Sequence, residues 1–297
     1  MNSSHSHPGY NDAGFALGYR LANVLPHPVC RFIGSTLALA SYHTQHRARE
    51  ALMKNLHQVT GLTGAPLKRI ARRNFQNFGR MIADYFYCSN KHEKEIRPLL
   101  DEWHGLDALR QALAQGKGVI LVTGHLGNWE LGGILLALDG WPINVVTLEE
   151  PTTQLTMTRD AYRKRVGIRT IPVGESKNTF AFLEMIAALK RNEIVCMLVD
   201  RPYGETGIPV TFFGRSTHFS SAPALLHQHT GAAILPAFVL HNARGRYNAI
   251  AEPMLDLVTL PDRREVLAVN TQKIATAFEK IIGPHADQWY NFVPIWP

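Results

Sequence analysis

The stretch Gly118–Gly140, GVILVTGHLGNWELGGILLALDG, decides the fold. Its opening run, GVILVT, is continuously apolar and rich in β-branched residues, as a strand covered on both faces must be. Its closing run, ELGGILLALDG, reads as a helix. Between the two lie Gly124, His125, Gly127, Asn128 and Glu130, with Asn128 placed where a helix N-cap belongs. A buried strand that hands over directly to a helix through a glycine-rich turn is the unit of an α/β sheet.

The same rhythm extends on both sides. LDALRQALAQG is an amphipathic helix that ends at Gly116, and INVVTL is a strand. FAFLEMIAALKRNE is a helix, IVCMLVD a buried strand, SAPALLHQHTG a helix and AAILPAFVL a strand. Ser220 and Ser221 read as caps of the helix that follows them. The last helix opens with a capping box, Asp262 through Glu265, and stops before Gly283-Pro284. This alternation predicts an α/β fold, a largely parallel or mixed sheet flanked by helices, over residues 105–297.

The front of the chain differs. Residues 1–14 are polar and read as a disordered tail, whose His5 and His7 are solvated side chains rather than metal ligands. Residues 15–104 are helical and basic. FALGYRLANVLPHPVCRFIGSTLALASY, Phe15–Tyr42, is apolar but interrupted by Arg20, Pro26-His27-Pro28 and Arg31, so it predicts short helices rather than a membrane span. Such helices either pack in solution or lie in a membrane interface. In PLKRIARRNFQNFGRMIADYFY, Ile70, Phe78, Ile82 and Tyr85 share one face while Lys68, Arg69, Arg72, Arg73 and Arg80 take the rest. That basic face suits an anionic lipid surface.

The 297 residues are 45% hydrophobic, enough for a large core, and the formal net charge of +7 favours an anionic partner. Cys30, Cys88 and Cys196 form no CxxC pair, which argues against a disulfide framework or a zinc finger. The glycines do not fit G-x-G-x-x-G and no Gly-Lys-Ser/Thr follows, so a nucleotide cradle is disfavoured. HExxH, G-x-S-x-G and recognised nucleic-acid modules are absent from the sequence. No metal and no nucleic acid is therefore expected.

Ligands of open α/β sheets bind beyond the carboxyl ends of the strands. Two strands end there in polar groups: GVILVT at Gly124-His125, and IVCMLV at Asp200-Arg201. A carboxylate near an imidazole selects its tautomer and raises its basicity, so Glu130 beside His125 would make a general base. Gly124 and Gly127 would let a substrate approach the backbone, and the amides near Gly127 and Asn128 would face an oxyanion. A capped turn whose histidine bonds the backbone is the bland reading of the same residues. With no nucleophilic serine indicated, the remaining chemistry is a single displacement: a base deprotonates a hydroxyl that attacks an acyl thioester.

GHLGNWE resembles the histidine-x4-acid motif of glycerolipid acyltransferases. ARRNFQNFGRMIADYFY, LVDRPYG, VTFFGRSTHFSSAPALLHQHTGAAILPAF and QWYNFVPIW follow in an order similar to that of the lipid A biosynthesis lauroyl/myristoyl acyltransferases. The resemblance runs from about Gly18 onward. It implies acyl transfer from acyl carrier protein or acyl-CoA, with no other cofactor, to a hydroxyl of a membrane glycolipid such as a lipid A precursor. It also implies work at the cytoplasmic face of the inner membrane. His125 matches the family's base, Glu130 its acid, and Asp200 the first aspartate of an Asp-x-Asp-Tyr-Gly-like block whose second aspartate is replaced by Pro202. An arginine for phosphate or thioester is also implied; Arg163 is the choice, with Arg159, Arg165 and Arg169 competing, and Arg201 adjoins the site. The chain ends QWYNFVPIWP, without the basic Trp-x-His-x-Arg-Trp-Lys-like run of lipid A enzymes. Another lipid acceptor (a phospholipid, a mannoside or a polyene lipid) and a non-catalytic basic binding protein stand as alternatives.

Overall fold

The computed structural model describes residues 12–148, 154–174, 178–201, 207–259 and 261–296. Residues 1–11, with His5 and His7, and Pro202 lie outside the described residues. Four helices come first: α1 (Asp12–Val24), α2 (His27–Thr44), α3 (His46–Thr60) and α4 (Gly64–Cys88). A short α5 (Glu93–Ile96) leads to β1 (Leu100–His104), α6 (Leu106–Leu113), β2 (Val119–Thr123), α7 (Trp129–Leu138) and β3 (Ile143–Leu148). Next come α8 (Gln154–Arg165), β4 (Arg169–Val173), α9 (Asn178–Lys190) and β5 (Ile194–Leu198). The hairpin β6 (Gly207–Phe212) and β7 (Arg215–Ser220) precedes α10 (Ala222–Thr230), β8 (Ala233–His241), β9 (Tyr247–Ala251) and α11 (Arg263–Ile282).

Seven strands form one sheet in the order β1-β9-β8-β2-β5-β3-β4, with every pairing parallel except β8–β9. The expected mixed α/β sheet flanked by helices is what the chain adopts. Strand period 2 divides the core between the two faces of the sheet. Ile120 and Val122 of β2 face α9, α10 and α11, packing with Met185, Leu226 and Phe278. Val119 and Leu121 face α6 and α7, packing with Leu109, Leu131 and Leu135.

The strands anticipated from apolar runs, β2, β3, β5 and β8, all lie in the sheet's interior, which they share with β9. Those not anticipated have local reasons to be inconspicuous. β4 is an edge strand containing Pro172, tolerated there because one side needs no amide. β1, at the other edge, is the polar LDEWH; it lies in the stretch read as helical, yet pairs in parallel with β9. The β6–β7 hairpin turns through Phe213 and Gly214, both at positive φ (47° and 76°), as the right-handed twist of a two-residue hairpin requires.

The amino-terminal helices are joined closely to the sheet domain. α2 and α4 cross at Gly34 and Gly79, where a Cβ on Gly79 would stand 2.2 Å from the Gly34 carbonyl oxygen. Further along α4, buried Asp84 accepts hydrogen bonds from His27 (2.6 Å), Arg31 (2.6 and 2.7 Å) and the hydroxyl of Tyr247 in β9 (2.5 Å). Burial opposes the charged form of Asp84, but the hydrogen bonds from His27 and Arg31 outweigh it and lower its pKa. No helix among the described residues is long and apolar enough to cross a membrane.

Removing one partner from a buried ion pair leaves the other charge uncompensated, at a cost of about 3–5 kcal/mol. Asp84→Ala should therefore unfold at a markedly lower temperature than the wild type by circular dichroism. An unchanged melting temperature would show that the Asp84 cluster does not hold the helices to the sheet.

Candidate active site

β2 and β5 are neighbours in parallel register, Thr123 opposite Leu198, so their carboxyl ends open at one edge of the sheet. The amide of Val199 still bonds to the Thr123 carbonyl (3.0 Å). Just beyond these ends stand His125 and Asp200, 75 positions apart in sequence. His125 Nδ1 lies 2.7 Å from Asp200 Oδ1, and the His125 amide donates to Oδ2 at 3.0 Å. An ionised carboxylate only accepts, so Nδ1 carries the proton and Nε2 the lone pair. Among the described residues Nε2 has no hydrogen-bond partner, and the His125 side chain is 24% exposed beside a fully buried Asp200.

The segment after α11 completes the site. Trp289 Nε1 donates to Asp200 Oδ2 at 2.9 Å and Asn291 Nδ2 at 3.1 Å. The Tyr290 amide bonds to the His125 carbonyl (2.7 Å), and the Gly127 amide to the Gln288 carbonyl (2.9 Å). Arg201 donates from Nη2 to the Tyr290 carbonyl (2.7 Å) and from Nε to Asn291 Oδ1. Sequence reasoning gave Trp289, Tyr290 and Asn291 no role. They sit in a short irregular stretch with no periodicity, and only the folded chain returns it to the ends of β2 and β5.

Electrostatically, burial lowers the His125 pKa below the ordinary value near 6.5. Arg201 acts in the same direction, and Asp200 opposes both. Asp200 is held well below the usual carboxylate range: burial would raise it, but the charge and hydrogen bonds of His125, together with the charge of Arg201, prevail.

Several expectations change. Glu130 was expected to hold His125; instead its carboxylate forms an ion pair with Arg163 of α8, and Asp200 occupies the imidazole. Glu130 is the second residue of α7, and its side chain meets α8 rather than the turn before the helix. Gly124 and Gly127 were expected to admit substrate, yet both make room for protein. A Cβ on Gly124 would meet Asp200 Oδ2 at 3.1 Å, and one on Gly127 (φ 64°) would stand 2.0 Å from the Val239 carbonyl oxygen of β8. The Gly127 and Asn128 amides, expected to face an oxyanion, are used by the Gln288 and Val239 carbonyls (2.9 and 2.7 Å). Asn128 does cap α7, its Oδ1 accepting from the Leu131 amide at 3.0 Å. The Asp262 cap of α11 also forms, with Oδ1 2.7 Å from the Arg264 amide.

Of the arginines weighed, Arg163 is 3% exposed and paired with Glu130. Arg165 turns to the Ser89 carbonyl (2.8 Å), and Arg169 is an exposed partner of Glu193. Arg159 lies one turn before Arg163 on α8.

A partly exposed imidazole oriented by a buried carboxylate, at the carboxyl edge of an α/β sheet, has the geometry that general-base chemistry uses. The profile described as "Bacterial lipid A biosynthesis acyltransferase" matches residues 2–297. The chain belongs to that family and is an acyltransferase. It is 30% identical to the phosphatidylinositol mannoside acyltransferase of Mycobacterium tuberculosis H37Rv over 288 residues, covering 96% of this chain and 88% of the relative. The phosphatidylinositol mannoside acyltransferase of Mycolicibacterium smegmatis is 27% identical (96% and 91% covered). The lipid A biosynthesis palmitoleoyltransferase of Escherichia coli K12 is 25% identical (80% and 76% covered).

By nuclear magnetic resonance, His125 should titrate below pH 6.5. Because the Asp200 charge favours imidazolium, Asp200→Asn should lower the midpoint further. A midpoint that rises in this variant would break the assigned pairing.

Proposed function

We propose that this acyltransferase moves a fatty acyl chain from an acyl carrier protein thioester, or from acyl-CoA, to a hydroxyl of a membrane glycolipid, with His125 as general base. The observation that carries the reading is the His125–Asp200 pair, which leaves Nε2 unpaired among the described residues at the sheet edge. Asp200 fixes the tautomer; Nε2 takes the acceptor hydroxyl proton as that oxygen bonds to the thioester carbonyl carbon. Collapse of the tetrahedral intermediate breaks the C–S bond, and imidazolium returns the proton to the sulfur. The products are an ester and a free thiol.

Negative charge on the carbonyl oxygen needs donors other than the amides of Gly127 and Asn128. The first-turn amides of Trp129 and Glu130, which have no hydrogen-bond partner among the described residues, and the nearby Arg201 guanidinium are the groups assigned to it. Arg163, fixed by Glu130, keeps Nε and Nη1 without a partner among the described residues, and we assign it to a phosphate or to the thioester oxygen. In this reading Glu130 acts through Arg163.

The proposed acceptor class is supported by relatives named for a phosphatidylinositol mannoside and for lipid A, both glycolipids. Similarity to the mannoside enzymes spans more of this chain, so a mannoside-bearing lipid ranks beside a lipid A precursor. The cytoplasmic face of the inner membrane is the proposed location. In support, α2 packs one face on α4 while Val29, Phe32, Thr36, Leu37 and Ala40 share an outer face, with Phe32 71% and Leu37 64% exposed. Arg31, the only Lys or Arg of α2, turns inward to Asp84. Exposed Arg47, Lys54, Lys68, Arg69 and Arg72 on α3 and α4 supply a basic flank for anionic lipid or an acidic carrier protein.

Loss of a general base lowers rates about 10²–10⁴-fold. His125→Ala, incubated with acyl carrier protein or acyl-CoA thioesters and either a lipid A precursor or a mannoside lipid, should lose that much ester formation by mass spectrometry; a folded His125→Ala with full activity refutes the mechanism. Separately, the Phe32→Glu/Leu37→Glu protein should no longer co-sediment with vesicles containing phosphatidylglycerol. Retained co-sedimentation would remove α2 from the membrane surface.

A further inference from the structure

Asp200 and Arg201 are consecutive and oppositely charged, Asp200 buried and Arg201 partly so, yet they form no ion pair with each other. In a low-dielectric setting such neighbours attract strongly unless something occupies the space between them. Asn291, itself fully buried, occupies it. Its Nδ2 donates to Asp200 Oδ2 at 3.1 Å and its Oδ1 accepts from Arg201 Nε. The amide orientation is fixed by chemistry, since guanidinium only donates and carboxylate only accepts. One donor and one acceptor on a short planar group is what this position demands. Aspartate would lack the donor, and an aliphatic side chain would lack both.

The consequences reach His125. The Asp200 carboxylate directs Oδ1 to the imidazole and receives three N–H donors on Oδ2. Arg201 is satisfied by neutral acceptors, the Tyr290 carbonyl and Asn291 Oδ1, and no carboxylate of a described residue pairs with it. Its charge is therefore not neutralised by a direct ion pair. We propose that Asn291 is a positioning residue that keeps Asp200 and Arg201 from closing into an ion pair, so that the carboxylate serves His125 and the guanidinium keeps its charge beside the base.

This inference rests on the general-base reading of His125. The charged groups just beyond β5 that act on the imidazole are Asp200 and Arg201. The carboxyl-terminal segment brings Tyr290, whose buried hydroxyl is pushed well above its usual pKa, and α7 brings Trp129, while Glu130 is paired with Arg163.

The test is nuclear magnetic resonance on the full-length protein without substrate, following the His125 imidazole and its Nδ1 proton. In Asn291→Ala, Arg201 should close on Asp200 and the downfield Nδ1–H signal of the His125–Asp200 hydrogen bond should weaken. In Asn291→Ala/Arg201→Gln no guanidinium competes, and the signal should return. A purely space-filling asparagine predicts the opposite, a double variant at least as impaired as the single. An unchanged signal in folded Asn291→Ala, or no recovery in the double variant, overturns the proposal. Should Asn291→Ala not fold, Asn291→Asp decides: a carboxylate there neutralises Arg201, and the His125 titration midpoint should rise by roughly one pH unit. A midpoint that stays or falls overturns it. These readouts need no acyl transfer, so they remain distinct from a failure of the proposed reaction, which His125→Ala tests.

Discussion

A carboxylate 1% exposed to solvent organises the site. Asp200 stays ionised because N–H groups of His125, Trp289 and Asn291 converge on it from two other stretches of chain. Burying an unpaired carboxylate would cost several kcal/mol, so the end of β5, the turn after β2 and the last residues of the chain stabilise one arrangement together or not at all. The His125 imidazole is thus oriented by the same bonds that close the fold.

That closure extends to the amino-terminal helices. Asn74 of α4 donates to the carbonyls of Ala286 (3.0 Å) and Trp289 (2.8 Å), and Asn55 of α3 to those of Asn291 (2.9 Å) and Val293 (2.8 Å). The backbone of the segment that builds the site is held by these helices, and its side chains hold Asp200. Through Asp84, Arg31 and Tyr247, α2 and α4 are also fixed to β9. The exposed apolar face of α2 therefore stands in a fixed relation to His125, as the proposed uptake of an acceptor from a bilayer requires.

Most of the sheet was legible because buried strands and helices carry their periodicity in contiguous residues. GVILVT and IVCMLV announced β2 and β5, and their polar ends marked His125 and Asp200. What contiguity could not convey is that β3, α8, β4 and α9 intervene between strands that are neighbours. Without that adjacency the nearer acid, Glu130, was the natural partner for His125. The glycines misled for a related reason. Gly127 is required by the approach of β8, a strand more than a hundred residues later, which nothing in the local turn reveals. The QWYNF segment was unreadable in function because the side-chain bonds that build the site are all long-range and most of its backbone is irregular.

The two arginines beside the site, Arg163 buried and Arg201 partly buried, show why the displaced pairing is chemically better. Arg163 would add a second buried cation to the site; Glu130 neutralises it with a direct ion pair. Arg201, by contrast, is met by neutral oxygens, so its field persists and favours the uncharged imidazole. Asp200, Arg201, Glu130 and Arg163 sum to zero with a neutral His125, and a proton arriving alone on the imidazole leaves the cluster with an excess positive charge. In acyl transfer the proton does not arrive alone: the carbonyl oxygen becomes negative in the same step. In the proposed reaction, an arrangement that resists an isolated imidazolium, but tolerates one formed beside an oxyanion, would keep His125 available as a base in the ground state and confine its charging to the transition state.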